Sequence, residues 1–310
     1  MELSIVVPLY NERANVVPLA DAIAAALAPT GLDYEVLLVD DGSSDGTFEC
    51  AADLPRTQPQ VRVVRLRRNY GQTAAMAAGI EHARGRVIVT MDGDLQNDPA
   101  DIPEFLRKLD EGYEMVVGWR HDRKDKLWSR KVPSRIANWL IGKVTGVPIK
   151  DNGCSLKAYR ADLIKSIPLY SEMHRFIPAM ASLAGPRIAE IRVRHHARRF
   201  GQSKYGLSRI YRVLLDLLTV KTIIGFASRP LAWFILPAVP AALISMGCIT
   251  VSLYETAVLG QPFRTPLAGV GVLLGALSVF LAMTGILGEL VQKVGEHRAD
   301  RMSMLTAEKL

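Results

Sequence analysis

The sequence predicts an α/β protein in which a mainly parallel, doubly wound sheet domain is followed by a two-helix transmembrane hairpin. Three observations predict it. Short runs rich in Val and Ile alternate with helix-like stretches over the first part of the chain, glycine-containing polar motifs follow those runs, and the apolar excess is gathered in the last quarter. The last point explains why a chain of 310 residues with 22% charged residues still has a mean hydropathy of +0.14. Composition excludes disorder, collagen and a disulfide-stapled miniprotein. Cys50, Cys154 and Cys248 are odd in number and widely spaced, with no CxxC pair, so they read as ordinary thiols in a reducing compartment.

Taken in order, Leu3–Pro8, Tyr34–Val39, Val61–Leu66, Val87–Met91 and Met115–Gly118 read as strands. Ala14–Ala28, Gly71–Arg84 and Pro99–Glu111 between them read as helices. In a doubly wound sheet, ligands bind at the carboxyl ends of the strands, so the polar motifs there are the candidates for chemistry. The first strand is followed by Pro8-Leu9-Tyr10-Asn11-Glu12, not by GxGxxG, which disfavours a dinucleotide-dependent dehydrogenase. The second leads into Asp40-Asp41-Gly42-Ser43-Ser44-Asp45-Gly46-Thr47. That turn is either a loop capping a helix through Asp45 or a base-binding site, with the Asp41 carboxylate accepting an N–H and Tyr10 as a flat wall. After the fourth strand stands Met91-Asp92-Gly93-Asp94-Leu95-Gln96. Two carboxylates separated by a glycine can bring oxygens to one hard cation, Mg²⁺ or Mn²⁺, with Gln96 as a further donor.

Two basic stretches follow: Arg120, Arg123, Lys124, Lys126, Arg130, Lys131 and Arg135, then Arg192, Arg194, His195, His196, Arg198, Arg199 and Lys204. They account for much of the net charge of +7. Nucleic-acid binding is the reading that net charge alone suggests; proximity to a membrane favours phosphates of lipid head groups or of a sugar nucleotide instead.

Leu231–Tyr254 and Thr265–Gly288 are each 24 residues without a charge. At about 1.5 Å per residue, each spans a hydrocarbon core of ~30 Å. Trp233 and Tyr254 suit the aromatic belt, and Pro237 and Pro240 lie within the first span. Lys221, Arg229, Lys293, Arg298 and Arg301 flank the outer ends, whereas the linker holds one acid, Glu255, and one base, Arg264. The positive-inside bias therefore places both termini in the cytoplasm, at the inner (cytoplasmic) membrane. Met1–Glu12 has no basic n-region and reads as a strand, so no signal peptide is expected. Leu207, Ile210, Leu214, Leu217 and Leu218, interleaved with Arg209, Arg212 and Lys221, form either an interfacial helix on lipid phosphates or an amphipathic helix packed on the sheet domain. The expected organisation is a cytoplasmic domain over 1–205, an interfacial region over 206–228, the two spans within 229–292 and a tail over 293–310. Gly271, Gly275 and Ala276 suit packing within one hairpin or between copies in a homo-oligomer.

Further motifs run along the chain: Arg68-Asn69-Tyr70-Gly71-Gln72, Gly118-Trp119-Arg120, Asp151-Asn152-Gly153-Cys154-Ser155-Leu156-Lys157-Ala158-Tyr159-Arg160, His174-Arg175-Phe176, and Arg198-Arg199-Phe200-Gly201-Gln202-Ser203-Lys204-Tyr205. Together with the strand-end motifs, this string resembles the family 2 glycosyltransferases of the GT-A fold, specifically the polyprenyl-phosphate enzymes that include dolichol-phosphate mannose synthase. The hairpin is similar to that of the bacterial undecaprenyl-phosphate branch, which handles glucose and 4-deoxy-4-formamido-arabinose. The resemblance implies an inverting transfer of sugar from a UDP- or GDP-linked donor to a polyprenyl phosphate. It implies that Pro8, Tyr10, Glu12, Val39 and Asp41 line the nucleotide, that Met91, Asp92, Gly93 and Gln96 border the donor, and that Asp92, Asp94 and Gln96 hold the metal. It further implies that Arg120, Arg198 and Lys204 contact phosphates and that Arg130 and Ser134 grip the lipid phosphate, with Asp92, Asp94 and Arg120 as the catalytic set. Departures from the commonest pattern fall at Gly93, Trp119 and Asn152, and none removes a charge. A processive polysaccharide synthase is disfavoured because no QxxRW run is present and two spans are too few for an export channel. The remaining alternative is a membrane-tethered binding module without turnover.

Overall fold

A computed structural model describes residues 1–121, 149–167, 173–182, 185–197 and 230–305, with the isolated positions 142, 169 and 222. The chain divides into two compact units, 1–220 and 221–310.

In the first unit, β1 (Leu3–Leu9), α1 (Arg13–Leu27), β2 (Tyr34–Asp40), α2 (Thr47–Asp53), β3 (Val61–Arg65), α3 (Gln72–His82), β4 (Val87–Thr90), α4 (Ile102–Asp110) and β5 (Met115–Trp119) follow in order. They are succeeded by β6 (Lys157–Arg160), α5 (Ala161–Ser166), α6 (Ile177–Ala181) and β7 (Ile188–Arg192). The seven strands form one sheet in the order β3-β2-β1-β4-β6-β5-β7. All pairings are parallel except those of β6, which runs antiparallel to both β4 and β5.

Alternation along β1 explains the layering. Leu3, Ile5, Val7 and Leu9 join a core with Val16, Leu19 and Ile23 of α1 and Ile102, Phe105 and Leu109 of α4. Val6 points the other way, into a core with Ala75, Met76 and Ile80 of α3 and Ile164 of α5. The five strands expected from Val and Ile runs are present, and β6 and β7 are additional. Lys157-Ala158-Tyr159-Arg160 carries two cations and no β-branched residue, and β7 has only the separated Ile188 and Ile191, so neither presents a strand pattern. Their pairing partners, not their own propensities, hold them in the sheet.

The second unit is a hairpin of α7 (Pro230–Ala257) and α8 (Thr265–Leu305). Both helices carry windows long and apolar enough to cross a membrane, and only 11% of each window is buried in the protein, which is unlike a soluble core helix. The helices meet through polar contacts suited to an apolar medium: Ser245 Oγ donates to the Gly271 carbonyl at 2.6 Å and Ser278 Oγ to that of Ala238 at 2.8 Å. Gly271 and Gly275 face Ser245 and its neighbours, so they serve packing within the hairpin. The Leu231 N–H, without an intrahelical partner at the start of α7, donates to Glu289 Oε2 of α8 at 3.4 Å. At the turn, Arg264 Nε pairs with Glu255 at 2.9 Å, so the acid and base of the linker neutralise each other. α8 continues to Leu305, into the segment read as a tail. The 206–228 region lies outside the described residues, apart from the single position 222.

Candidate active site

The carboxyl ends of β1, β2 and β4 converge because their loops are hydrogen-bonded to one another. Asn11 follows β1 in a left-handed conformation (φ 52°); its N–H donates to Ser43 Oγ and its Oδ1 accepts from the Ser44 N–H, both at 2.9 Å. Asp45 accepts from the N–H of Thr47 at 3.0 Å and of Arg13 at 3.3 Å. It therefore closes the turn before α2, whose N-cap is Gly46 without a side-chain cap, and ties that turn to α1. Burial raises its pKa, but hydrogen bonds from Thr47 and Arg13 outweigh this and hold the carboxyl below its ordinary value. Tyr10 is exposed beside these loops, while Pro8 and Glu12 are half-buried. Glu12 Oε2 accepts from Asn15 Nδ2 at 2.6 Å.

Asp41 is buried behind this rim and organises the next loop: Oδ1 accepts the Tyr70 N–H at 2.7 Å and Oδ2 the Gly71 N–H at 2.9 Å. Each oxygen keeps a second lone pair. Burial raises the Asp41 pKa above the ordinary value despite these two bonds, with Asp40 adding to the rise. Gly42, at φ +67°, lies so close to the backbone of Arg68 and Asn69 that a Cβ would collide at 2.5 to 2.7 Å. The acidic turn thus requires glycine where β2 and the 68–71 loop meet.

The β4 end carries the Asp-Gly-Asp turn. Asp92 is half-buried and Asp94 buried; Asp92 Oδ1 accepts Gln72 Nε2 at 2.7 Å, and Asp94 Oδ1 accepts the Gln96 N–H at 3.1 Å. Leu95, at φ 59°, turns the chain sharply between them. Burial and then the neighbouring Asp94 charge raise the Asp92 pKa, opposed by Ser155, Arg120 and Lys157. Two carboxylates so placed, each bordered by the other's charge, fit a hard divalent cation with all-oxygen ligands. Among the described residues no cluster of three or more His, Cys, Asp and Glu has metal-binding geometry. Mg²⁺ sites of this type take one or two carboxylates and complete their shell with substrate phosphates and water. Gln96 Nε2 reaches toward the His196 carbonyl at 3.5 Å, and the His196 N–H donates to the Gln96 carbonyl at 2.9 Å.

At the end of β5, Arg120 is gripped by Asp151. Nε donates to Oδ2 at 2.7 Å and Nη2 to Oδ1 at 2.9 Å, with the Arg120 N–H reaching Oδ2 at 3.3 Å. Burial disfavours the guanidinium charge, but the Asp151 bonds more than restore it, so Arg120 stays cationic. Trp119 is sandwiched electrostatically, with Lys150 Nζ 4.3 Å and Arg192 5.4 Å from its ring and His121 edge-on at 4.9 Å. The departure at Trp119 therefore holds cations beside the site. Cys154 is a buried thiol with its pKa pushed up to about 11 by burial, consistent with an inert residue.

Of the expected residues, Pro8, Tyr10, Glu12, Asp41, Asp92, Gly93, Asp94, Gln96 and Arg120 stand at or beside these loops, whereas Val39 and Met91, at the ends of β2 and β4, have fully buried side chains in the cores on the two faces of the sheet. Arg130, Ser134, Arg198 and Lys204 lie outside the described residues. Sequence reasoning gave no role to Gln72, Asn97, Asp151, Ser155 or Lys157, although Asn97 Nδ2 donates to Ser155 Oγ at 2.8 Å beneath the acidic turn. The available signal was an aspartate and a lysine at the two ends of the Asp151–Lys157 segment that leads into β6. The β7 end is joined to the same loop through a bridge between Asn97 and His195 and through Arg194, whose Nε donates to Asp101 Oδ1 at 2.8 Å.

Comparison with known proteins places this arrangement. The family model described as Glycosyl transferase family 2 matches residues 4–167. A dodecaprenyl-phosphate galacturonate synthase of Rhizobium johnstonii is 47% identical over 298 residues, spanning 94% of this chain and 88% of that protein. An undecaprenyl-phosphate 4-deoxy-4-formamido-L-arabinose transferase of Edwardsiella ictaluri is 36% identical, spanning 94% and 89%. Among solved structures, glucosyl-3-phosphoglycerate synthase from Mycobacterium tuberculosis, crystallised with Mn²⁺, UDP and phosphoglyceric acid, superposes with a TM-score of 0.55 at 20% identity over 71% of this chain and 78% of that one. Mannosyl-3-phosphoglycerate synthase from Rubrobacter xylanophilus gives 0.55 at 17% identity over 73% and 75%. These likenesses show the shared GT-A fold.

Proposed function

The chain belongs to glycosyl transferase family 2, and on that premise we propose that it is a membrane-anchored inverting transferase that moves a sugar from a nucleoside diphosphate to a polyprenyl phosphate. The observation that carries this reading is similarity across 94% of the chain, apolar helices included, to two enzymes named for polyprenyl-phosphate sugars. The more similar of the two is named for galacturonate, so a UDP- or GDP-linked hexuronate heads the donor candidates. The catalytic domain and both termini face the cytoplasm at the inner membrane, as the distribution of Lys and Arg about the hairpin favours.

Asp92 and Asp94, with Gln96 beside them, would hold a divalent cation; Mg²⁺ or Mn²⁺ there would neutralise charge on the leaving diphosphate. Asp41, through the loop it anchors, and Tyr10 border the nucleotide base, with Pro8, Glu12 and Gly93 beside them and the buried Val39 and Met91 backing the strand ends. Arg120, kept charged and oriented by Asp151, directs a fixed cation toward developing phosphate charge. Arg198 and Lys204 share that role, and Arg130 and Ser134 hold the acceptor phosphate. An oxygen of the acceptor phosphate attacks the anomeric carbon as the bond to the diphosphate oxygen breaks, inverting that centre. The acceptor is already an anion near neutral pH, so no side chain has to remove a proton from it.

The test is transfer of labelled sugar to organic-extractable lipid by the detergent-solubilised full chain, with undecaprenyl phosphate, Mn²⁺ and a panel of UDP- and GDP-sugars that includes galacturonate. Label carried by one donor, and lost in a folded Asp94→Ala variant, is the expected result. A folded protein that binds donor and turns over none of the panel would favour the binding module instead.

A further inference from the structure

Lys157 is 2% exposed in the middle of the sheet. It opens β6, paired with Thr90 of β4 on one side and Val117 of β5 on the other. Thr90 is two residues before Asp92, and Val117 three before Arg120, so the lysine is seated between the strands that carry the acidic turn and the arginine. Its Nζ donates to the Asn152 carbonyl at 3.3 Å. Burying an ammonium costs several kcal/mol unless nearby charge compensates it. Burial indeed pushes its pKa down to about 8, with Asp151 and Asp92 among the groups opposing the fall. The sharing of one electrostatic neighbourhood is reciprocal, since Arg120 and Lys157 both stabilise the charged form of Asp92. The neighbourhood holds three carboxylates, Asp92, Asp94 and Asp151, against two cations, Arg120 and Lys157. Without Lys157 the imbalance grows from one negative charge to two.

We propose that Lys157 is a positioning residue whose buried ammonium is the built-in counter-charge of the acidic turn, limiting how tightly a divalent cation is held there. This rests on the reading that Asp92 and Asp94 bind the cation. A resident positive charge competes with the incoming ion, so the site releases the cation with the departing nucleotide. A purely structural lysine, serving only as a tether for the Asn152 carbonyl, would have the opposite signature: its loss would loosen the turn and weaken cation binding.

The experiment is Mn²⁺ titration, followed by electron paramagnetic resonance, of the detergent-solubilised full chain without donor. Lys157→Met is expected to bind Mn²⁺ on the order of tenfold more tightly than the wild type, since one opposing charge is removed from the buried neighbourhood of Asp92. Lys157→Gln, which keeps a donor for the Asn152 carbonyl and serves if the Met variant misfolds, is expected to do the same. Lys157→Arg should bind like the wild type. Equal or weaker binding by a folded neutral variant overturns the proposal while leaving the cation site intact. Wild-type protein that binds no Mn²⁺, or binds it unchanged after Asp94→Asn, overturns the cation site and the proposal with it.

Discussion

Replacing Asp151 by Leu should be among the most destabilising single changes in the sheet domain, and the size follows from the geometry. The side chains of Arg120 and Asp151 are only 15% and 4% exposed, and the pair shares two short charge-assisted bonds of 2.7 and 2.9 Å. Such bonds contribute roughly 1.5–3 kcal/mol each, and removing one member of a buried pair costs about 3–5 kcal/mol because the other charge is left uncompensated. Lys157 sharpens the penalty, since Asp151 also offsets its charge. At about 2–4 °C per kcal/mol for a domain of this size, the midpoint of thermal unfolding should fall by roughly 10 °C. The assay is a double-mutant cycle of Asp151→Leu, Arg120→Met and both together, by thermal unfolding of the detergent-solubilised chain. The double variant should recover to within ~1.5 kcal/mol of the wild type, because an apolar pair leaves no orphan charge. It should also be inactive, since Arg120 is gone. A single Asp151→Leu change costing less than ~1 kcal/mol, or a double variant no better than the single, would refute the claim that this pair is a buried, mutually dependent unit.

Three further outcomes are expected. Asp92, whose pKa is raised by burial and by Asp94, penalises the ionised native state as pH rises from the ordinary carboxylate value toward the higher folded one. In chelator, Asp92→Asn should therefore gain stability relative to wild type as pH climbs through that window, and Mn²⁺ should close the gap; parallel melting curves at all pH values would contradict the shift. Glu35 is shifted the other way: burial raises its pKa, but Ser4, Arg62 and the Arg84 N–H outweigh it and hold it below the ordinary value. Its contribution is present above the unfolded carboxyl value and lost as pH falls toward the folded one, so Glu35→Gln should cost about 2 kcal/mol near neutrality and little in acid, measured by denaturant unfolding across pH. Lastly, Arg198→Glu should weaken donor binding tenfold or more while Arg301→Glu leaves it unchanged, read by equilibrium binding of the nucleoside diphosphate; equal effects would reduce the second basic stretch to a solvated face.

The parts of the fold legible in sequence are those whose residues state their own environment. Val and Ile runs marked β1 to β5, and two uncharged stretches marked α7 and α8, because burial on both faces of a sheet or in lipid demands continuous apolarity. β6 escaped because the antiparallel slot between β4 and β5 is offered by the rest of the sheet. Lys157 occupies it for electrostatic reasons, and Tyr159 fills the core beside it on the same face. The same asymmetry runs through the site. Asp41, Asp92 and Asp94 were legible because carboxylates beside glycines at strand ends are chemically conspicuous. Their partners were not: the N–H groups that Asp41 binds belong to Tyr70 and Gly71, and the amide on Asp92 comes from Gln72, about 20 to 30 residues away.

Arg120 shows why that gap matters for chemistry. Read as a sequence, it is the first of a run of cations and looks available to any phosphate. In the fold, Asp151 takes the Nε–Nη2 edge of its guanidinium, so any phosphate it meets must approach a group already fixed in place. A cation oriented in advance loses little conformational freedom when charge develops beside it, which is what electrostatic stabilisation of a leaving diphosphate requires. Trp119 extends the argument outward, because Lys150 and Arg192 are drawn to its ring rather than left to sample solvent. The positive charge near the acidic turn is therefore held by a carboxylate, an aromatic ring and a buried strand. A Lys150→Ala or Arg192→Ala change should then weaken phosphate binding less than Arg120→Met, in proportion to how firmly each cation is held.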